Sequence, residues 1–352
     1  MQPETQQEFK MAKSNEPSFK EKTAKEWAQI VARYKKPSHL RSVIEIAITA
    51  IPLVALWSVA VYTYYYSWFL SLIFIIPAGF FLVRLFAIQH DCGHGTLFRH
   101  KNVNDWVGRV LGIFTFTPYA MWRKEHAAHH SYSGNLSKRG YGDIVTLTIE
   151  EYQELPLMEK LYYRFYRNPF ILFLIGPTYL FVIRQRLPFG RMYDKESWIS
   201  SMTTNVFIAA MVITLLYTIG TGAFFLVHMP IVIIAATVGV WLFYVQHQFE
   251  GTHWDRDEDW NPQHAALYGS SHYDLPFFLR WVTANIGLHH IHHLHSKIPY
   301  YQLPKIVKDY PQLKSVSRIT LWDSMKCVNL HLWDEANKKL ISFRERRQLN
   351  RQ

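Results

Sequence analysis

Three short clusters of histidine stand out in this sequence, because their spacing matches one face of a helix. The clusters are His90 and His94; His126, His129 and His130; and His289, His292 and His293. Side chains three or four positions apart lie on the same side of an α-helix, so each cluster can present its imidazoles in one direction. Imidazole is a ligand for zinc, copper, iron and nickel. The spacing therefore predicts a metal centre that is built from helices.

The other histidines fall into four kinds. His247 follows a long apolar segment, and we expect it to be a ninth ligand. His290 is expected to point away from the metal, because adjacent positions on a helix are about 100° apart. His253 and His295 are open to either interpretation. Ordinary structural roles are expected for the remaining six, which are His39, His100, His228, His264, His272 and His331.

The ligand type constrains the number of ions more than their identity. One tetrahedral ion needs three or four ligands, so eight or nine imidazoles predict two ions. Neutral imidazole suits iron, copper and zinc alike. A zinc pair would suit hydrolysis, whereas an iron pair would suit activation of O₂, and the ligands alone leave both open. Cys92 is expected to face away from the metal, because it is not three or four positions from any clustered histidine.

A histidine that binds metal usually donates its second ring N–H to a polar partner. We expect these partners among four residues, which are Asp91, Asp143, Asp274 and Asn285. Asn285 lies four positions before His289 and is expected on the same helical face. The alternative for each of the four is a helix cap or a solvated loop.

Four apolar segments are long enough to carry these histidines at a membrane surface. They are Val43–Val61, Tyr66–Val83, Ile199–Ile219 and Ala223–Tyr244. Each is close to the ~20 residues that cross ~30 Å of hydrocarbon. The linkers within each pair, 62–65 and 220–222, are very short, so the pattern predicts two helical hairpins. The second helix is expected to continue through His94 and the fourth through His247.

The distribution of charge predicts the orientation of these helices. Of the 38 basic residues, nine precede Val43, fifteen lie in 84–195 and fourteen follow Tyr244, so neither hairpin tip has any. The positive-inside rule then places both termini and the central segment in the cytoplasm. Arg84 is expected to mark the membrane surface, and Glu45 is an acid tolerated near a helix end. Charge spread along a membrane face, without a recognition motif, argues against nucleic acid as a partner.

These observations predict an all-α integral membrane protein with four transmembrane helices in two hairpins. Residues 1–42 form a cytosolic N-terminal segment, and 43–352 form one membrane domain. Its cytosolic helical cap comprises 84–198 and 245–352 and carries the metal site. Two shorter apolar segments, Val107–Trp122 and Asn168–Ile183, contain proline or glycine and are expected to be interfacial or re-entrant. The tail Ile319–Arg347 is expected to be an amphipathic helical segment.

The motifs HDCGH, HAAHH and HHIHH, which begin at positions 90, 126 and 289, resemble the three histidine boxes of the integral-membrane fatty acid desaturases. These boxes alone are shared with alkane and carotenoid hydroxylases. The resemblance extends over nearly the whole chain through NLSKRGYGDIVTLTIEEY, YRNPFILFLIGPTYLF, GVWLFYVQHQFEGTHW and TANIGLHHIHHLHSKIPYY. These longer stretches are similar to the bacterial acyl-lipid desaturases of the phospholipid type.

The resemblance implies a non-haem diiron centre, held by the histidine boxes and by His247. It implies that O₂ and two electrons are used to introduce a cis double bond into the acyl chains of membrane lipids. The chain has no glycine-rich nucleotide loop and no CxxC pair, so the electrons are expected from an external ferredoxin- or flavodoxin-like protein. The location implied is the bacterial cytoplasmic membrane.

Three other functions stay open on the sequence. The main alternative is a diiron hydroxylase of alkanes, sterols or carotenoids. A metal sensor or transporter would need polar residues inside the spans, and these spans contain almost none. The third of these other functions is a zinc-dependent membrane hydrolase. The sequence also leaves open the double-bond position, the headgroup or carrier of the substrate, the identity of the electron donor and the oligomeric state.

Overall fold

The computed structural model describes residues 22–140 and 142–349 of the chain, and these residues are mostly helical. The first part contains a short helix and a long hairpin, which are α1 Ala24–Val31, α2 His39–Tyr64 and α3 Trp68–His94. The side chain of Ser38 caps α2 by accepting the amide of Arg41. Gly95 ends α3 with φ of 67°, a conformation that glycine adopts without steric cost. The predicted continuation of the second helix through His94 is confirmed.

The second histidine cluster lies on a helix that follows a tight turn. Two helices occupy this region, α4 Lys101–Phe114 and α5 Tyr119–Tyr132, so the apolar segment 107–122 is broken at its centre. The turn between them is held by Gln89 of α3, which accepts a hydrogen bond from the hydroxyl of Thr115. A Cβ atom on Gly112 would lie 2.4 Å from the carbonyl oxygen of Thr117, so the turn requires glycine there.

The next three helices are α6 Ile149–Glu154, α7 Leu157–Tyr166 and α8 Ile171–Arg186. The last two form a bent pair, because α8 is bent by 61° relative to α7. Within α8, Ile171–Ile175 and Tyr179–Ile183 are π-helical turns. A helix of this shape is either a broken span or a re-entrant loop.

The last long helices are α9 Lys195–Ala223 and α10 Met229–His247, with a π-helical turn Phe224–His228 between them. Gly220, with φ of 73° and ψ of 164°, interrupts α9 at the predicted hairpin tip. The tips of the two predicted pairs lie together, because the hydroxyl of Tyr65 donates to the carbonyl oxygen of Ile219 at 2.7 Å. The helices α9 and α10 diverge from each other, because α9 packs on α4 and α5 whereas α10 packs along α3. The fourth helix ends at His247 as predicted.

Among the residues that the structure describes, three helical stretches are long and apolar enough to cross a membrane: His39–Tyr64, Trp68–His94 and the interrupted stretch Lys195–His247. A fourth is reached if the bent pair is one span. The chain is therefore a membrane protein by the length and composition of its helices.

One buried ion pair links the spanning helices. Arg84 of α3 and Glu45 of α2 form a salt bridge in which both side chains are almost fully buried. The hydroxyl of Tyr300 also donates to Glu45, at 2.7 Å, and the ring of Trp281 lies 4.4 Å from the Arg84 guanidinium. The charge of Arg84 is thus neutralised inside the fold, and its position at the membrane surface stays a prediction.

The rest of the described chain consists of short helices and strands. The remaining helices are α11 Pro262–Tyr268, α12 Phe277–Val282, α13 His289–Leu294, α14 Leu303–Asp309, α15 Leu321–Cys327 and α16 Phe343–Leu349. The strands are β1 Leu147–Thr148, β2 His272–Asp274, β3 Arg318–Thr320, β4 Leu332–Asp334 and β5 Lys339–Ile341. β4 pairs in parallel with β1 and antiparallel with β5, and β2 pairs in parallel with β3.

These strands correct two predictions. The fold is mostly helical but not all-α. The tail Ile319–Arg347 is not one amphipathic helical segment, because β4 and β5 form a hairpin within it. The turn of this hairpin is stabilised by Asp334, whose carboxylate accepts the backbone amide of Asn337 at 3.0 Å. Lys338 has a positive φ of 47°, which a continuous helix does not permit.

Candidate metal centre

Four helix segments bring all nine predicted histidines to one place. The end of α3, the second half of α5, the end of α10 and all of α13 meet there. The nine side chains form two adjacent groups, each able to hold one ion. Group one contains His90, His94, His126, His130 and His292, and group two contains His129, His247, His289 and His293.

In group one the Nε2 atoms of the histidines point at one another. The Nε2 atom of His126 lies 2.9 Å from that of His90 and 3.0 Å from that of His94. The Nε2 atom of His130 lies 3.1 Å from the Nε2 atoms of both His126 and His292. Five ring nitrogens therefore surround a small common volume.

Group two is built in the same way around His247. The Nε2 atom of His247 lies 3.2 Å from that of His129 and 3.0 Å from that of His289. The ring of His293 completes the group, with its centre 4.5 Å from that of His289. Its Nε2 atom is buried and has no hydrogen-bond partner. An unpartnered buried nitrogen of this kind is expected where a metal ion supplies the missing contact.

The separations and the charge state of the rings both fit a metal ion. Donor atoms about 2.1 Å from an octahedral ion lie about 3.0 Å apart along the edges of the octahedron. Burial lowers the pKa of His126, His130 and His292 well below the ordinary histidine value, and neighbouring imidazoles lower it further. The rings are therefore neutral at pH 7, and neutral imidazole is the form that binds a metal.

The two groups interleave along the chain. His126 and His130, which are four positions apart on α5, belong to group one, while His129 between them belongs to group two. On α13 the assignment is reversed, because His289 and His293 belong to group two and His292 to group one. The second and third clusters therefore each serve both groups.

Two of the four predicted polar partners lie beside these histidines. The Nδ1 atom of His129 is 2.5 Å from the carboxylate of Asp143. Asp91 lies 3.5 Å from the Nδ1 atom of His90, and its carboxylate also accepts the backbone amide of Tyr300 at 2.8 Å. The carboxylate of Asp143 can fix the orientation of the His129 ring, whereas the Nδ1 atom of His90 makes no hydrogen bond.

The other two predicted partners lie elsewhere. Asp274 forms an ion pair with Arg318 at 2.7 Å, across the β2–β3 pair. Asn285 is not on a helix with His289, because α13 begins at His289 and Asn285 has a positive φ of 55°. The prediction that Asn285 and His289 share a helical face is therefore wrong.

The remaining uncertain histidines lie outside both groups. His290 points away from them, as the helical geometry predicts, and its Nε2 atom lies 3.0 Å from the carbonyl oxygen of Leu313. His253 contacts Asp255 at 2.5 Å, and its ring lies 4.4 Å from that of His264. Neither His295 nor the buried Cys92 belongs to either group of the described residues.

Two aromatic residues that the sequence reasoning missed cover the groups. The ring of Trp122 stacks on His126 of group one, with centres 4.7 Å apart and planes 12° apart. The ring of Phe243 lies 5.0 Å from His129 and 5.3 Å from His247 of group two. Trp122 lies four positions before His126 and Phe243 four before His247, so helical spacing from the histidines would have found both.

Comparison with known proteins identifies the class to which this fold and site belong. The model of the fatty acid desaturase family matches residues 66–320. A fatty acid desaturase of Bacillus subtilis is 42% identical over 320 residues, which cover 91% of each chain. The chain belongs to the fatty acid desaturase family, and it is an enzyme that desaturates fatty acids.

Two cyanobacterial relatives are more distant and carry more specific names. The sn-1 acyl-lipid omega-3 desaturase (ferredoxin) of Synechocystis is 30% identical over 255 residues, which cover 69% of this chain and 68% of the relative. The sn-1 oleoyl-lipid 12-desaturase of the same organism is 26% identical over 250 residues, which cover 68% of each chain. The resemblance to desaturases predicted from the histidine motifs is confirmed.

Proposed function

We propose that this enzyme introduces a cis double bond into the acyl chains of membrane lipids at a diiron centre held by groups one and two. The observation that carries this proposal is the convergence of nine histidines at the ends of helices α3 and α10. The acyl-lipid substrate is supported by the names of the cyanobacterial relatives. Iron is favoured over zinc because removing hydrogen from an unactivated chain requires redox chemistry, which a zinc ion does not provide.

The proposed reaction balances with an external reductant. Two adjacent methylene groups lose one hydrogen atom each, and O₂ takes up these two hydrogens, two electrons and two protons to give two molecules of water. When bound, the iron pair would supply the activation of O₂ that this oxidation needs. Group one would hold one ion through five imidazoles and group two the other through four.

The residues around the groups then have definite tasks. The carboxylate of Asp143 accepts a hydrogen bond from the Nδ1–H of His129. The lone pair on the Nε2 atom of His129 is therefore available to the ion. Trp122 and Phe243 place apolar surface against the groups, which suits an acyl chain and excludes water. These contacts concern orientation and solvent exclusion, and no proton transfer is assigned to them.

We further propose that the centre lies on the cytoplasmic side of the membrane, above four spanning segments. The absence of basic residues in 62–65 and 220–222 supports this orientation, as does the contact between these two tips. The cap, with both termini, would then face the cytoplasm. The described residues do not include 1–21, on which part of the predicted N-terminal segment lies.

Expression of the gene in a bacterial host, followed by gas chromatography and mass spectrometry of derivatised acyl chains, tests the reaction. We expect new cis-unsaturated chains, two irons in each purified polypeptide, and loss of product in His126→Ala and His292→Ala. His264→Ala is the matched control and should retain product, because its ring lies outside both groups.

Three results would contradict the proposal. An alcohol without added unsaturation would indicate the alternative hydroxylase. Zinc without iron in the purified protein would indicate a hydrolase. If the His126→Ala variant reaches the membrane and still forms unsaturated product, the assignment of the histidine ligands is wrong.

A further inference from the structure

The loop that follows α3 brings solvent close to group one. His94 is the last residue of that helix, and Gly95 after it is exposed. No heavy atom lies within 4 Å of the position that a Cβ atom on Gly95 would occupy. The side-chain ammonium of Lys297 donates to the carbonyl oxygen of His94 at 2.6 Å. A protein that docks at this loop therefore reaches the backbone of a group-one histidine directly.

The loop is surrounded by basic side chains without acidic partners. We define the basic patch as Lys35, Lys36, Arg99 and Lys297, all of which are exposed. None of the four forms a salt bridge within residues 22–140 and 142–349. Carboxylates near them in the chain have other partners: Asp105 pairs with Lys101 and Arg123, Glu45 pairs with Arg41 and Arg84, and Asp309 accepts a hydrogen bond from Tyr34 at 2.5 Å.

Hydrogen bonds join the segments of the patch into one surface. The amide of Ser38, two positions after Lys36, donates to the hydroxyl of Tyr301 at 2.9 Å. The hydroxyl of Ser42 donates to the carbonyl oxygen of Leu97, two positions before Arg99. The ring of His39 lies 5.8 Å from that of Phe98. The N-terminal end of α2 thus holds 35–36 beside the loop after α3 and beside Lys297.

Several other basic residues of the cap are paired with carboxylates, unlike the four of the patch. Lys138 pairs with Asp257 at 3.1 Å, Arg256 with Glu335 at 2.6 Å and Lys338 with Asp255 at 2.9 Å. Arg139 pairs with Glu151 on the same side of the cap. The contrast matters because unpaired charges, unlike paired ones, project a field that can steer a partner.

We infer that the basic patch is the docking surface for an acidic one-electron carrier protein, which delivers its electrons to group one across His94. This inference rests on the proposed function, because the proposed reaction needs two external electrons in each turnover. An acidic iron–sulfur protein such as a ferredoxin fits the charge. Two cyanobacterial relatives carry ferredoxin in their names.

The test uses the full-length enzyme in vesicles of zwitterionic lipid, with a soluble acidic ferredoxin and its NADPH-dependent reductase as the electron supply. The variant Lys35→Glu/Lys36→Glu reverses two charges of the patch. The matched control is Arg344→Glu/Arg347→Glu on α16, which packs through Phe343 against Tyr152 on another face of the cap. Ferredoxin binding is measured directly as well as through turnover.

We expect the patch variant to raise KM for ferredoxin about tenfold at low ionic strength, with kcat nearly unchanged at saturation. The difference should shrink with salt, because screening shortens the reach of charge from about 10 Å at 0.1 M to about 3 Å at 1 M. Iron content, and product formed with a small chemical reductant, should equal those of the wild type. The control pair should leave KM unchanged.

Two results would overturn the docking surface. One is an unchanged ferredoxin KM and binding affinity in the patch variant. The other is a defect that appears only in vesicles of anionic lipid, which would assign the patch to headgroups. If the wild type binds ferredoxin through the patch but forms no unsaturated product with any reductant, the proposed reaction fails and the docking surface stands.

Discussion

Replacing Asp143 tests whether one carboxylate orients the second half of the metal centre. Asp143 lies 2.5 Å from the Nδ1 atom of His129, the only histidine of α5 in group two. Asp143→Ala leaves this nitrogen without its partner, so the ring can rotate and can place a proton on Nε2 instead. Asp143→Asn keeps an oxygen that accepts the Nδ1–H and removes only the charge.

The structure sets the size of the effect. Loss of such a partner costs about 10- to 100-fold in metal affinity. The Asp143 side chain is 25% exposed, so water can partly replace it, and we expect the lower end of this range for Asp143→Ala. Tenfold corresponds to about 1.4 kcal/mol of binding free energy. Asp143→Asn should cost about threefold or less.

The assay is a titration of iron against a chelator of known affinity, read separately for the two ions. One ion should be lost at lower chelator concentration in Asp143→Ala, while the other is held as in the wild type. Asp274→Asn is the control, because that carboxylate pairs with Arg318 and contacts neither group. Equal iron retention by Asp143→Ala and the wild type would refute the orienting role.

Three further predictions concern stability. Arg84→Met removes the buried one of the two arginines that pair with Glu45 and should lower the free energy of unfolding, by less than the ~3–5 kcal/mol of a buried charge with no partner because Arg41 remains, whereas the double variant with Glu45→Leu should lose less; equal losses would exclude the coupling. Burial lowers the pKa of His290 to about 3, so the folded state binds fewer protons than the unfolded state below pH 6.5. In denaturant titrations the wild type should therefore lose about 1.4 kcal/mol per pH unit relative to His290→Gln between pH 6 and 4, and a constant difference would contradict this. Gly112→Ala should lower the thermal unfolding temperature, because its Cβ atom would lie 2.4 Å from the carbonyl oxygen of Thr117; an unchanged temperature would show that this turn can relax.

The long helices and the histidine clusters were predictable because each is a local, periodic signal. An apolar segment of about 20 residues predicts a spanning helix wherever it occurs, and helical spacing fixes which side chains share a face. The same reasoning predicted that α3 continues through His94 and α10 through His247. The histidine motifs, with the longer stretches around them, were specific enough to predict the family.

The division of the histidines between the two groups was not predictable from spacing. Positions 126, 129 and 130 all lie on one helical face, so periodicity cannot separate the ring of His129 from its neighbours. The separation depends on where α10 and α13 approach α5. Proximity that arises between distant segments has no signature in the local sequence.

The partners of buried charges were missed for the same reason. Glu45 and Arg84 are 39 positions apart and were interpreted singly, as a tolerated acid and a surface marker. Their pairing depends on the register of α2 against α3. Asn285 was misplaced because helical spacing was extended across a turn in which Ala284 and Asn285 both have positive φ.

The division of the histidines also determines when the centre can form during synthesis. Four of the five group-one histidines precede residue 131, whereas three of the four in group two follow residue 246. A nascent chain that has emerged only as far as α5 carries four of the five histidines of group one but only one of the four histidines of group two. Both ions of the proposed pair can therefore be held only after the ribosome has translated α13, which follows the last long apolar helix in the chain.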